Sequence, residues 1–393
     1  MSLISGTRGA GNGLAANQQV DVWKTLMLVE PYNTPVMQYT FMGNKPAKPV
    51  YNPQGKYSWM EDEFPGHIAT TTANVTASSG TLTLTSGTHL SADDFALFRT
   101  DDLVIINNAA NGDQMGYVSA KTSTKVTFTA TSGSLSDVAK DDTIHILSNF
   151  NSEDASKISG LDTVESEVYN YLTIMSDTVG MTGREEAGRH YSSGLSFAEK
   201  LQKKQKEMKL RFERLALLSL NAGKTSATMV KSWGRGALGT FTTNLTDYGS
   251  ALSLSSLDTF MKNIGAKGST RRTIYAGTNV YYAIQSIVRD KIGSLPSVVK
   301  GAFGVNIMTV YYGDLELTLI KDPVLDGKYT DYALGVDLDR VVGRYMANDG
   351  KGSRKFRIEM NTQTPGDDIQ EAKVLMDLGV QFMNESTGGW LMT

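Results

Sequence analysis

The chain has no cysteine among its 393 residues. Disulfides, thiolate metal sites and cysteine nucleophiles are excluded together, while the redox compartment stays open. Histidine is nearly as scarce. His67, His89, His145 and His190 stand in four separate contexts, with no His-Glu-x-x-His spacing to hold zinc. No eighteen apolar residues run together, and the opening MSLISGTRGAGNGLAANQQ has neither the charged lead nor the apolar core of a signal peptide. We expect a soluble protein made and used without export machinery. An excess of one charge is missing as well: 38 basic residues against 41 acidic leave a net −3. Long-range attraction is therefore not how this chain would find a polyanion, and any contact with nucleic acid must be local.

The motifs of common chemistries are also absent. There is no Gly-x-Ser-x-Gly elbow and no Gly-x4-Gly-Lys-Ser/Thr phosphate loop. Gly9, Gly11 and Gly13 miss the third glycine of the dinucleotide fingerprint and follow no strand. Glu61-Asp62-Glu63, Asp101-Asp102, Asp141-Asp142 and Asp367-Asp368 lack calcium-loop spacing and read as solvated turns. Tyr281-Tyr282 and Tyr311-Tyr312 have no interleaved basic residues to make a base-stacking groove. No catalytic, cofactor or metal residue is assigned.

What is present centres on SFAEKLQKKQKEMKLRFERLALLSLN, residues 196 to 221. The pattern predicts one helix about 39 Å long. Ser196 and Glu199 make a capping box, and Gly223 is placed to end the helix in the left-handed conformation. Phe197, Leu201, Met208, Phe212 and Leu215 share a face, and Leu215 to Leu220 is apolar nearly all round. Its C-terminal end should be buried. Lys203, Lys204 and Lys206 fall on the basic stretch, a solvated face or a surface lying on phosphate.

Around that helix the chain divides by composition. Its length allows two or three compact units. Residues 1 to 19 are glycine-rich and polar, an arm ordered only by a neighbour. Val20 to Leu28 suits a short helix stopped by Pro31 and Pro35. Residues 45 to 65 hold four of the nine prolines and should project as an extended hairpin turning at Gln54-Gly55. From about 69 to 149, short Thr/Val-rich alternating runs separated by Asn111-Gly112-Asp113 and Ser132-Gly133 predict a small inserted β-barrel or sandwich. Val164 to Met181 reads as one long β run. In the second half, Leu257, Phe260, Met261 and Ile264 form a helical stripe capped by Ser255 or Ser256, and residues 278 to 289 another helix. Residues 273 to 276, 310 to 321, 332 to 338, 340 to 346 and 373 to 383 read as strands. The class is α+β with largely antiparallel pairing.

The order of these parts resembles a tailed-bacteriophage major capsid (major head) protein of the Hong Kong 97-type fold, in the branch with a β domain inserted in the E-loop region. The resemblance rests on FRTDDLVIINNAANGDQMGYVSAKTSTKVTFTA (Phe98 to Ala130), VYNYLTIMSDTVGMTGR (Val168 to Arg184) and LQKKQKEMKLRFERLALLSLNAGK (Leu201 to Lys224). Ser152-Glu153-Asp154 departs from the Glu-Gly often found after that β module. The resemblance implies an N-terminal arm over 1–44 and an E-loop over 45–166 carrying the β insert. It implies a P domain with the spine helix over 167–254, an A domain over 255–339, and P-domain return strands over 340–393. It implies a non-enzymatic subunit without cofactors, made in the host cytoplasm and ending in the virion, forming pentamers and hexamers of a head shell around double-stranded DNA. Scaffolding, portal and decoration proteins would be its other partners, with no membrane involved. An arm starting at the initiator Met implies a separate scaffold or none. Arm and E-loop lack cores of their own, so Trp23, Tyr51, Tyr57, Trp59 and Phe64 are the expected inter-subunit contacts. Lys203, Lys204 and Lys206 are the expected weak DNA-facing residues. Two alternatives are a non-viral encapsulating shell of the same fold and a glycan-active enzyme with a β module, the latter needing two carboxylates about 5–9.5 Å apart in a cleft.

Overall fold

The computed structural model describes residues 34–42, 47–151, 160–188, 196–292, 298–300, 306–350 and 352–393. The expectations for residues 1–33, including Trp23 and the 20–28 helix, fall outside that set, as do His190 and the 152–154 departure. Pro35 opens a short helix, Pro35–Met37, because its missing N–H and fixed φ suit a first helical turn, and the chain runs on through a π-turn, Gln38–Met42. The chain forms two compact units, residues 1–59 with 168–393, and residues 60–167.

The larger unit is α+β. One of its sheets runs Lys48–Val50, Val341–Met346, Ile369–Phe382, Thr173–Thr182, with Arg357–Met360 also paired to the long Ile369–Phe382 strand. That strand is buried almost continuously along its second half, since it is central in the sheet and packed on both faces. The long helix, Phe197–Leu218, lies on this sheet and inserts Met208, Phe212, Ala216 and Leu217 among Val374, Met376, Leu378 and Val380. Its capping box forms as expected, with Ser196 Oγ accepting from Glu199 N–H and the Glu199 carboxylate accepting from Ser196 N–H. The helix ends earlier than expected. Ser219 turns extended, its carbonyl accepts from Gly236 N–H at 2.9 Å, and its hydroxyl donates to the Gly234 carbonyl at 2.7 Å. A returning segment thus seals the end in place of a left-handed Gly223, and Leu220 is left exposed, against the expected burial of the whole apolar end.

The second sheet of this unit has seven strands, in the order Leu245–Asp247, Gly389–Met392, Ala333–Val336, Arg271–Ala276, Leu315–Lys321, Asn306–Tyr312, Val298–Lys300. The expected 310 to 321 strand is two, because Gly313 at φ +61° makes a tight reversal that an L-residue disfavours. Helix Leu254–Gly265 buries Leu257, Phe260, Met261 and Ile264 as the stripe required. Its cap is Ser253, with Ser256 completing a capping box, two or three residues earlier than expected. Its far end is closed by Arg272, whose guanidinium donates to the Ile264 carbonyl at 3.0 and 2.9 Å and pairs with Asp337 at 3.3 Å. Helix Thr278–Ile292 follows. Val164 to Met181 also splits, into Ser166–Tyr171 and Thr173–Thr182, where Leu172 turns inward beside Val50 and Tyr57.

The smaller unit is one six-stranded antiparallel sheet ordered Ile68–Thr70, Thr143–Asn149, Asp102–Asn107, Gln114–Lys121, Lys125–Ala130, Thr81–Thr85. The alternating runs of residues 69 to 149 become strands, and Gly112 and Gly133 in the turns between them have positive φ. Alternate residues point inward, and Leu82, Leu84, Val104, Ile106, Val118, Val126, Phe128 and Ile144 make the core. The two end strands are not paired directly with each other; the residues that extend them, Thr71 and Ser86, each bridge to Leu90, which links the two edges of the sheet. The short helix Ala92–Leu97 and the loops bearing Val75, Leu135 and Val138 cover the core.

Candidate functional site

The extended segment is where the sequence placed subunit contacts, and its residues separate. Lys48–Val50 joins the body sheet, the chain reverses at Asn52 to Gly55 with Gly55 at φ +70°, and Lys56–Glu61 pairs with Ser166–Tyr171. Tyr57 is buried in its own chain, a correction to its expected role. Its hydroxyl donates to the Val380 carbonyl at 2.9 Å, Arg344 lies 5.7 Å from its ring centre, and burial pushes its pKa far up. The ring occupies the space above Gly379, where a Cβ would come within 2.8 Å of the hydroxyl oxygen. Trp59 stacks on Tyr57 and is half-buried against the same cluster of Val50, Leu172 and Met346. Past Trp59 the pattern reverses. Met60 is exposed and Phe64 is 97% exposed; before the turn, Tyr51 is 78% exposed. Sequence alternation alone could not separate these rings, since all sit in one proline-punctuated stretch.

Beside Tyr51 runs a groove of about 500 Å³ lined by Gly55, Ile174, Met346, Asp349, Arg354 and Asp377. Its two carboxylates are already engaged. Arg354 holds Asp349 at 3.2 Å and Asp377 at 3.1 Å, and Arg357 adds a 2.9 Å contact to Asp349. Burial pushes the Asp377 carboxyl up against the pull of Arg354. Two carboxylates shared between arginines make an ion-pair network that braces the sheet edge; neither is left as an acid and base pair for a glycoside.

The basic stretch of the long helix also divides. Lys203 and Lys206 are exposed. Lys204 is not a phosphate-facing cation: its Nζ lies 2.8 Å from Glu207 and 3.1 Å from Asp177 of strand Thr173–Thr182, and Arg211 joins both carboxylates. The hydrogen bond that Lys204 donates to the Glu207 carboxylate holds its ammonium above its ordinary range. Burial works to raise the Asp177 carboxyl, but Lys204 and Arg211 outweigh it and keep it low. Helical spacing signalled Glu207 with Arg211, whereas Asp177 comes from a strand that only tertiary structure brings close.

Sequence reasoning missed Glu213 and Asp322, both fully buried, with the Glu213 oxygens accepting the backbone N–H groups of Val36 and Met37. The apolar run from Leu215 was the available signal that the helix is enclosed at this point. Among the described residues, no three His, Asp or Glu side chains gather as metal ligands. No helix among them is long and apolar enough to cross a membrane.

The family model of the SU10 major capsid protein matches residues 6–393. No curated protein matches the sequence. Among solved structures, a chain of Mycobacterium phage Bobi is 8% identical with a TM-score of 0.46, covering 96% of each chain. The capsid of cyanophage P-SCSP1u is 11% identical with a TM-score of 0.41, over 63% of this chain and 80% of that one. An encapsulin complex from Synechococcus elongatus gives 15% and 0.42, over 60% and 77%. With TM-scores below 0.5 these likenesses add nothing to the assignment, which rests on the family match. Matched over residues 6–393, nearly its whole length, the chain belongs to the SU10 major capsid protein family and is a shell-forming phage head protein.

Proposed function

We propose that this subunit assembles into pentamers and hexamers of a Hong Kong 97-type head shell enclosing double-stranded DNA. In that reading residues 1–44 are the arm and 45–166 the E-loop with its β insert. Residues 167–254 and 340–393 form the P domain around the spine helix, and 255–339 the A domain. The family match over residues 6–393 carries the proposal. The exposed rings support it physically. Burying an aromatic or other large apolar side chain contributes about 1.5–3 kcal/mol, and Tyr51, Met60 and Phe64 have that burial still to gain from a neighbouring subunit. Trp23 and the outer edge of Trp59 join them in the contact set. The role is structural, not catalytic, and the finished protein resides in the virion after synthesis in the host cytoplasm.

Contact with DNA is weak and non-specific in this reading. Lys203 and Lys206 supply it, and physiological salt screens it. Scaffolding, portal and decoration proteins would act from separate chains. Electron microscopy of the purified recombinant protein tests the proposal: closed shells or capsomer rings of one size class are expected. A monodisperse monomer at high concentration would overturn it, and particles holding a cargo protein with no nuclease-protected DNA would replace it with an encapsulating shell of another kind.

A further inference from the structure

Glu213 sits on the long helix one residue past Phe212, and Asp322 follows strand Leu315–Lys321; both side chains are fully buried and within hydrogen-bonding reach of each other. Glu213 accepts from the N–H of Val36 at 2.7 Å and of Met37 at 2.8 Å, so it fixes the first turn of segment 34–42 to the helix. Asp322 Oδ1 accepts from the Val324 N–H at 2.9 Å, but its Oδ2 is buried with no donor. The hydroxyl of Tyr275, in the same core, is also without a partner. A buried carboxylate oxygen lacking a donor, next to a second buried carboxyl, is satisfied if one proton lies between them.

We propose that Glu213 and Asp322 share one proton, and that this proton latches segment 34–42 onto the long helix, so that the segment loosens when the pair becomes fully ionised. The surroundings favour the proton. From segment 34–42 the titratable neighbour is Tyr39, from strand Arg271–Ala276 it is Tyr275, and beyond the Asp322 turn it is Asp326, whose nearest cation is Lys321 at 3.9 Å. On the strands under the helix, Asp377 is bound to Arg354 and Asp177 to Lys204 and Arg211. The helix's own Lys209, Arg211 and Arg214 are not buried with the pair. No ion pair to either carboxylate is found among the described residues, so a second negative charge there would be uncompensated.

The sign follows from linkage. Burial raises both carboxyls, Glu213 well above its ordinary range with Asp322 adding to the effect, and Asp322 to about 7. The latched state therefore holds an extra proton between the unfolded carboxyl range, about 4, and the folded one. Its stabilisation is complete below that window, falls across it as pH rises, and is lost once pH passes the folded value.

Hydrogen–deuterium exchange on the full chain tests this, comparing peptides from 34–42 and from the central strand at 374–382 between about pH 5 and pH 9, corrected for intrinsic rates. Protection of 34–42 should fall by up to about tenfold per pH unit as pH rises from about 5 towards the folded value, the limit for one proton, and level off once the pair is fully ionised, while 374–382 holds. Asp322→Asn, which cannot ionise yet can donate, should make the 34–42 protection flat with pH. Wild-type protection of 34–42 that tracks 374–382 across the whole range overturns the proposal. So does an Asp322→Asn chain that keeps the wild-type fall. If the variant fails to fold, the wild-type series alone decides.

Discussion

The division of the extended segment into an inner and an outer set of rings can be broken experimentally with one pair of substitutions. Tyr57→Ala removes a ring that touches Val50, Leu172 and Trp59 and takes one of two side-chain donors from the Val380 carbonyl, which keeps Asn170 Nδ2 at 3.1 Å. A large aromatic-to-alanine change in a core costs about 3–5 kcal/mol. The small size of this cluster, and the donor that the Val380 carbonyl keeps, place the cost toward the lower end, about 3–4 kcal/mol. Phe64→Ala, at a position 97% exposed, should shift subunit stability by less than about 0.5 kcal/mol. The assays are urea denaturation of the unassembled subunit, and shell yield by sedimentation and electron microscopy. Tyr57→Ala should lower the denaturation midpoint, and whatever stays folded should still assemble. Phe64→Ala should keep the midpoint and lose shells. A Tyr57→Ala subunit as stable as wild type would show that the ring is not a core element, and normal shells from Phe64→Ala would remove it from the proposed contact set.

Other expectations follow from single contacts. Lys204→Gln should destabilise the subunit by about 0.5–1 kcal/mol, because its bridge ties helix to strand; Lys203→Gln should change it by less than about 0.5 kcal/mol, and thermal melts in low and high salt distinguish them. Gly236→Ala should cost at least about 1–3 kcal/mol, since a Cβ there meets the Leu215 carbonyl oxygen at 2.5 Å and backbone cannot step aside; loss of soluble protein or a lowered melt is the readout. Burial tends to raise the Glu385 carboxyl, but hydrogen bonds from the backbone and hydroxyls of Thr242 and Thr243 outweigh it and hold it below its ordinary range. A depressed folded value stabilises the native state above the unfolded value and is lost as pH falls through the folded one. Glu385→Gln should therefore cost about 1–2 kcal/mol at pH 7, discounted for partial exposure, and flatten the acid limb of a stability profile taken from pH 7 to pH 2.

What the sequence made legible was whatever depends on neighbours within about a turn or a strand pair. The capping box at Ser196, the stripe on Leu254–Gly265 and the alternating runs of the six-stranded unit are local patterns, and each formed. The errors lie where tertiary contact sets the outcome. Gly223 looked like a helix stop, but backbone from residues 234 to 236 reached the helix end first. The alternating runs predicted a barrel or sandwich, but how the two edges of that sheet are joined, through bridges from Thr71 and Ser86 to Leu90, is not encoded in periodicity.

The same distinction explains the candidate contacts. Tyr57 and Phe64 are both aromatic and both within one extended stretch, and their opposite fates depend on the central strand, more than 300 residues away, offering the Val380 carbonyl to one and nothing to the other. Glu213 is the harder case. Among Glu207, Arg211 and Arg214 it reads as one more charge on a solvated face, and only its position about 100° round from Phe212, just before the helix becomes enclosed, hints otherwise. A charged residue at the boundary between a one-sided and an all-round apolar pattern must either find partners or hold a proton. Here the backbone of Val36 and Met37 and the carboxyl of Asp322 are those partners, so the way the chain enters its body is tied to an ionisation equilibrium and not to packing alone.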